Sequence, residues 1–349
     1  MAEEATMTQT TVDLWQATKD ILSTIDRERE REIVARRFGL YDRKETLEQI
    51  GELLGITRER VRQLEKAIMA RLKAQAEDTL PHVQEIETAL ITELEKMGGV
   101  ARISDLSAKF HKDNTKKDQA HIAFLAELSP NLTVVEENDH FFHSVGIAAR
   151  HTEKQIRDLA NKIVETVKEH GQPADAKTIH EKLNSTDQDV TSVEALASTS
   201  KHLATLRGFW GLIKWPTVNP KNIRDKIYVV LQDNKKPMHF NEIAEAIKKS
   251  DFKRKNVTTQ AIHNELIKDG RFVLIGRGIY ALKEWGYNKG TVADIISDVL
   301  KKAKEPLHRD EIVKRVLKSR QVKETTILLN LQGKPQFKRV AKATYTLAE

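Results

Sequence analysis

Four stretches of this chain are built on one order of parts, and that repetition constrains the fold more than any single motif. Each begins with a helix-forming run rich in Ile, Leu and Val. A short polar break with Gly or Pro follows, then a small apolar extended piece, then a second helix. The breaks read MGGVARISDLSAKF from Met97, HGQPADAKTIHEKL from His170, NKKPMHFNEIAEAI from Asn234 and AKEPLHRDEIVKRV from Ala303. Each stretch later carries a hydrophobic alternation that reads as a hairpin. These are LTVVEENDHFFHSV from Leu132, LRGFWGLIKWPTV from Leu206, FVLIGRGIYALKEWG from Phe272 and FKRVAKATYTLAE from Phe337. In the third, Gly276 to Gly278 supply turn chemistry between FVLI and IYAL.

Helix, strand, helix, helix and hairpin is the order of a winged helix. The stretch Thr46 to Leu72, TLEQIGELLGITRERVRQLEKAIMARL, stands apart from the repeats and reads as a helix-turn-helix. Thr46 and Gln49 have the spacing of a capping box. Leu47, Ile50 and Leu54 give the first helix a buried stripe, and Gly51 leaves bare backbone on it for a close crossing. Gly55 falls where the chain turns and a positive φ costs glycine little. Thr57 caps the second helix, whose inward face is Val61, Leu64, Ile68 and Leu72. Arg58, Glu59, Arg62 and Gln63 lie opposite, at the end that enters the major groove in this motif. Their chemistry suits base edges: Arg for guanine, Gln for adenine, Glu for cytosine.

From Leu54 to Lys73 six basic residues stand against two acidic ones. A charged, solvated helix hairpin would explain the charges alone. The two glycines, two caps and apolar register together favour DNA.

These residues resemble region 4 of the primary bacterial sigma factors. The likeness spans Asp26 to Leu72 and rests on REREREIVAR from Arg27, RFGL from Arg37 and TLEQIGELLGITRERVRQLEKA from Thr46. It implies that Arg58, Glu59, Arg62 and Gln63 contact bases of promoter-like double-stranded DNA. It places Thr46, Thr57 and Arg60 near backbone phosphates, and Lys66 on the same helix is a further phosphate candidate. It also implies docking on the β-subunit flap of the RNA polymerase core through the preceding helix, with Ile33, Arg36, Arg37 and Phe38 as contacts. The lead before the motif is short, and it holds no segment or aromatic cluster suited to melting a duplex. A complete initiation factor is therefore not expected.

The third repeat, Ile223 to Lys249 followed by Phe272 to Tyr287, resembles the HARE helix-turn-helix domain. That winged helix occurs in the delta subunit of Gram-positive RNA polymerase, in some restriction enzymes and in eukaryotic chromatin proteins. Its carriers here are PMHFNEIAEAI and GRGIYALKEWG. The charge pattern adds a reason to expect phosphate contact. Residues 221–349 hold 28 Lys and Arg against 15 Asp and Glu, while the remainder holds 30 against 36. Lys253, Arg254 and Lys255 before a third helix at Thr258 to Lys268, with Arg271 and Arg277 on the hairpin, are candidates. So are Arg320, Lys323, Lys334, Lys338 and Arg339 in the last repeat. A basic face kept for solubility is the plainer alternative.

Several features are read blandly. The chain has no Cys, so no disulfide framework or thiolate metal site. His111, His121, His140, His143 and His151 scatter over loop, helix and hairpin, and no metal site is expected. His239 and His308 recur at one repeat position, which suggests a structural role before the second helix. Trp210, Trp215 and Trp285 lie in or beside hairpins, where packing is the default. No Walker loop, nucleophile with its base, or apolar-embedded carboxylate pair occurs, so neither catalysis nor a cofactor or small-molecule substrate is expected. No apolar run spans a bilayer, and the N-terminus lacks a signal peptide, so a cytoplasmic, nucleoid-associated protein is expected.

The expected fold is mainly α, with α+β winged helices. A helix-turn-helix domain at 1–80 precedes winged helices at 81–150, 151–219, 220–288 and 289–349. The leading function is a bacterial transcription factor acting with RNA polymerase at promoters. The alternatives are a delta-like polymerase subunit with mainly protein-binding winged helices, and the DNA-targeting part of a restriction or defence system.

Overall fold

The computed structural model describes residues 13–183, 189–252, 254–287, 290–320 and 322–348. They fall into two compact units, Met1–Lys214 and Trp215–Glu349.

In the first unit four helices come first: α1 Leu14–Ser23, α2 Glu28–Phe38, α3 Leu47–Leu54 and α4 Arg58–Ala76. The first winged helix follows as α5 Val83–Lys96, β1 Val100–Arg102, α6 Ile103–Phe110, α7 Lys116–Leu128, β2 Leu132–Val135 and β3 Ser144–Ile147. The second is α8 Glu153–His170, β4 Ala174–Asp175, α9 Ala176–Leu183, α10 Val190–Thr199, β5 Leu203–Leu206 and β6 Phe209–Leu212. Its hairpin begins earlier than the alternation from Leu206 suggests. The turn is Arg207-Gly208, both at positive φ, so the strand before it lies upstream of Leu206.

The second unit repeats the order twice. Its first copy is α11 Ile223–Asn234, β7 Met238–His239, α12 Phe240–Lys249, α13 Thr259–Lys268, β8 Phe272–Gly276 and β9 Ile279–Leu282. Its second is α14 Val292–Ala303, β10 Leu307–His308, α15 Arg309–Leu317, α16 Glu324–Gly333, β11 Phe337–Ala341 and β12 Thr344–Leu347. In all four copies the strand of the break pairs antiparallel with the last strand of the hairpin, giving the order first, third, second. The register slips at one place in both C-terminal hairpins, between Leu274 and Gly276 and between Arg339 and Ala341.

Local chemistry explains these elements. Thr115, Thr152 and Thr291 close capping boxes at the starts of α7, α8 and α14. His239 and His308 are N-caps: each Nδ1 accepts a backbone N–H, from Asn241 and Asp310 respectively. That is the structural role their shared repeat position suggested.

One continuous core runs from Leu14 through Ile68, Leu72, Leu90 and Phe124 to Val145. It joins the N-terminal helices to the first winged helix. Trp15 of α1 stacks on His121 of α7 at 4.6 Å, and its Nε1 donates to Asp118 Oδ1 at 2.9 Å. Burial pushes the His121 imidazole down to about 4, with Lys117 adding to the shift. The first two winged helices are joined by backbone. Phe142 N donates to Thr199 O and Lys201 N to His140 O, both at 2.8 Å, and the Arg102 guanidinium donates to Ser198 O.

Candidate nucleic-acid interface

The turn between α3 and α4 is set by two glycines that act differently. Thr46 Oγ1 accepts from Gln49 N at 3.2 Å, and Gln49 Oε1 accepts from Thr46 N at 2.9 Å. At the far end of α3, Gly55 sits at φ +64° with open space where a side chain would go. Gly51 has helical backbone, but a Cβ there would lie 2.7 Å from Ile56 O, so the turn itself packs on the bare site. The close neighbour is thus the turn rather than the body of the second helix. Thr57 Oγ1 then accepts from Arg60 N at 3.2 Å and starts α4. Ile33, Ile50 and Val61 form the core beneath, with Leu47, Leu54, Ile56 and Leu64 around them.

Substitutions should separate the two glycines. Gly55→Ala is expected to cost about 1–2 kcal/mol in left-handed backbone strain, and Gly55→Asn to recover part of it. Gly51→Ala should cost about 1–3 kcal/mol through overpacking, and Gly51→Asn more. Denaturant titrations of the four variants check this. If Asn ranks the same way against Ala at both sites, the distinction between strain and crowding is wrong.

Arg58, Glu59, Arg60, Arg62, Gln63 and Lys66 are all exposed on α4. Four of them, Glu59, Arg60, Arg62 and Gln63, form one network. Arg62 grips Glu59 fork to fork, Nε to Oε2 at 2.9 Å and Nη2 to Oε1 at 2.6 Å. Gln63 Nε2 reaches Glu59 Oε1, and Arg60 Nη1 reaches Gln63 Oε1, both at 3.5 Å. The bond from Arg62 holds the Glu59 carboxyl below its usual range and raises the Arg62 guanidinium. Glu59 and Arg62 remain more than half exposed, so base edges can compete for the same donors and acceptors.

The helix before the motif looks inward more than its sequence implied. Ile33 is fully buried among α2, α3 and α4, so it has no surface to offer a partner. It completes the core of the motif, a requirement invisible when α2 is read alone. Phe38 packs edge-on against Phe124 at 5.1 Å and is part-buried. Arg36 pairs with Glu32 at 2.6 Å and Glu45 at 2.7 Å, and Arg37 with Glu65 at 3.0 Å.

In the second unit the candidate cations separate. Lys253 lies outside the described residues. Arg254, Lys255 and Arg277 are exposed. Lys255 Nζ donates to Ser250 O at 3.3 Å. Arg271 is bound by Asp269 at 2.7 Å and Asp225 at 3.2 Å, and so serves the fold. Arg320 is buried, and its guanidinium donates to Leu274 O. Both are corrections: internal acceptors hold these side chains.

The third helix of a winged helix is the one that enters a groove in DNA-binding members, and the four copies differ there. In α7 eight of thirteen residues are buried, and it packs against α1, α2 and α4 as well as its own domain. In α10 six of ten are buried, and it lies against β1. Gly98, at φ +90°, leaves room where a Cβ would sit 2.6 Å from Thr191 O of α10. Most of each helix is therefore taken up by packing, which leaves only Lys116 exposed on α7 and Val190, Thr191 and Glu194 on α10. In α13 only Ile262 and Leu266 are buried, and in α16 only Ile327 and Leu331. A signal was available in HIAFLAEL from His121, which is apolar around the helix rather than along one stripe.

Beside α4 a cleft of about 860 Å3 opens toward the first winged helix. Arg62 and Lys66 line one wall; Arg102, Lys116 and Phe142 line the other.

Comparison with known proteins meets this geometry at the helix-turn-helix. Residues 27–74 match the family Sigma-70, region 4. The region 4 domain therefore runs from the start of α2 to the last turns of α4. An RNA polymerase sigma factor SigA from a Bacillus species is 45% identical over 56 residues, 16% of this chain and 15% of that one. RNA polymerase sigma factor sigB from Arabidopsis thaliana is 48% identical over 46 residues, 13% of this chain and 8% of that one. The chain spans only these small fractions of the relatives. Among the described residues no helix is long and apolar enough to cross a membrane.

Proposed function

We propose that this chain is a DNA-binding transcription protein that acts with RNA polymerase at promoter-like double-stranded DNA. The observation that carries this reading is the region 4 match on a helix-turn-helix whose α4 presents Arg58, Glu59, Arg62 and Gln63 to solvent. Base readout belongs to those four side chains, and Thr46, Thr57, Arg60 and Lys66 flank them for phosphate. Polymerase docking, on the flap or elsewhere, falls to the exposed rim of α2, because Ile33 is sealed. The protein works in the cytoplasm, at the nucleoid, and supplies promoter binding.

Arg62→Ala tests the reading. It is expected to weaken the preferred site by about 1–3 kcal/mol while random DNA loses much less. Competition binding on matched duplexes measures both. Equal losses would assign Arg62 to phosphate and remove it from base readout.

A second reading concerns the C-terminal unit. The outer face of α16 carries Leu329, 68% exposed, and the helix has no Lys or Arg; on α13 Ile267 is 62% exposed. A third helix without Lys or Arg has no cation for phosphate, which favours protein over a DNA groove for α16. In that reading the last two winged helices are delta-like polymerase-binding modules, as the HARE likeness implies, and only their hairpin cations meet phosphate.

A further inference from the structure

The cleft between α4 and the first winged helix combines two walls of unlike origin. One belongs to the region 4 domain, with Arg62 and Lys66 from α4 and Lys44 from the loop before α3. The other belongs to the first winged helix, acidic overall, whose mostly buried α7 turns Lys116, Gln119, Ala120 and Glu127 toward the cleft. Carboxylates line the cleft too, and their partners decide its character. Glu65 is held by Arg37 at 3.0 Å, Glu127 by Lys73, and Glu137 by Lys201 at 2.7 Å. Each of these charges is already matched. Among the described residues no carboxylate stands within ion-pair distance of Lys44, Lys66 or Lys116. Lys116 Nζ reaches only Gln119 Oε1, at 3.4 Å. The lining acids without a Lys or Arg partner are Asp42 and Glu136.

A set of unmatched ammonium groups with room beside them calls for a polyanion. Position names which one. Arg62 and Lys66 belong both to the exposed side of α4 and to the cleft, so a duplex seated on α4 brings a backbone to the cleft mouth. We propose that this cleft holds DNA phosphate backbone flanking the base-read site, and that Lys116 of the first winged helix is a phosphate contact. The inference rests on α4 being the DNA-facing helix. It gives the first winged helix a role in DNA binding through the N-terminal end of its third helix, most of which is buried.

The test uses the full chain. Lys116 is exposed at the first turn of α7, so Lys116→Gln leaves the core intact. Binding is measured against salt on a preferred and a random duplex, with hydroxyl-radical footprints of both. Lys116→Gln should flatten the slope of log K against log salt by about 0.9 on both duplexes, and should remove backbone protection on one flank. Glu136→Gln should act oppositely, tightening both complexes with the footprint unchanged. An unchanged slope and footprint with Lys116→Gln overturns the inference while leaving base readout intact. A wild-type chain without sequence preference, but with the Lys116 effect present, would fail the base-readout reading and support the cleft. Loss of polymerase capture with DNA binding unaltered would show that the cleft takes an acidic protein segment, and overturns it.

Discussion

Phe124→Ala is expected to lower the unfolding free energy by about 3–5 kcal/mol, the largest effect of any substitution considered for this chain. The ring is fully buried in α7 and meets Phe38 of α2 edge-on. Its surroundings come from both the region 4 domain and the first winged helix, so neither side can collapse into the cavity alone. Phe124→Leu should cost less, because most of the volume stays. Guanidinium titrations followed by circular dichroism give both values. A Phe124→Ala loss below about 1 kcal/mol would mean that the site relaxes freely and that the two parts are not packed through one core.

Removing residues 215–349 should flatten the salt dependence of DNA binding strongly and preserve the ranking of DNA sequences. The deleted unit carries 28 Lys and Arg against 15 Asp and Glu, whereas what remains is net negative. Each phosphate contact contributes about 0.9 to the slope of log K against log salt, so the loss of even three is readily measured. Exposed Arg254, Lys255, Arg277, Lys323, Lys334, Lys338 and Arg339 are among the available donors. Salt titrations of the full chain and the truncation on specific and random duplexes decide the matter. A slope untouched by the deletion would place the C-terminal cations away from DNA and leave the polymerase-binding reading of those domains in possession.

What could be read from residues alone was local. Thr46 with Gln49, Gly55 and Thr57 each act within a few residues of themselves, and their roles followed from spacing. The four-part order was equally legible, because strand and helix periods differ and glycine and proline mark the breaks. The errors came where a side chain's partner lay far along the chain. Ile33 reads as a surface residue until α3 and α4 are placed over it. Arg320 reads as a free cation until Leu274 O takes it, and Arg271 until Asp225 joins its neighbour Asp269 in holding it. The sealing of α7 was the largest omission, since one winged helix seen by itself offers that helix to solvent. The links within α4, from Arg62 to Glu59 and from Gln63 to Glu59, lay within reach of helical spacing at three and four residues.

The bond from Arg320 has a further meaning for how this chain keeps to itself. In its sheet β8 is an edge strand, paired only with β9, and its sequence FVLIG carries no charge. An uncharged edge with open carbonyls is a template for strand addition by another molecule. The equivalent edge of the last copy, β11, protects itself with Lys338 and Arg339. On β8 that protection is borrowed, because Arg320 of the following winged helix occupies Leu274 O. The last repeat therefore covers one carbonyl on the open edge of the one before it.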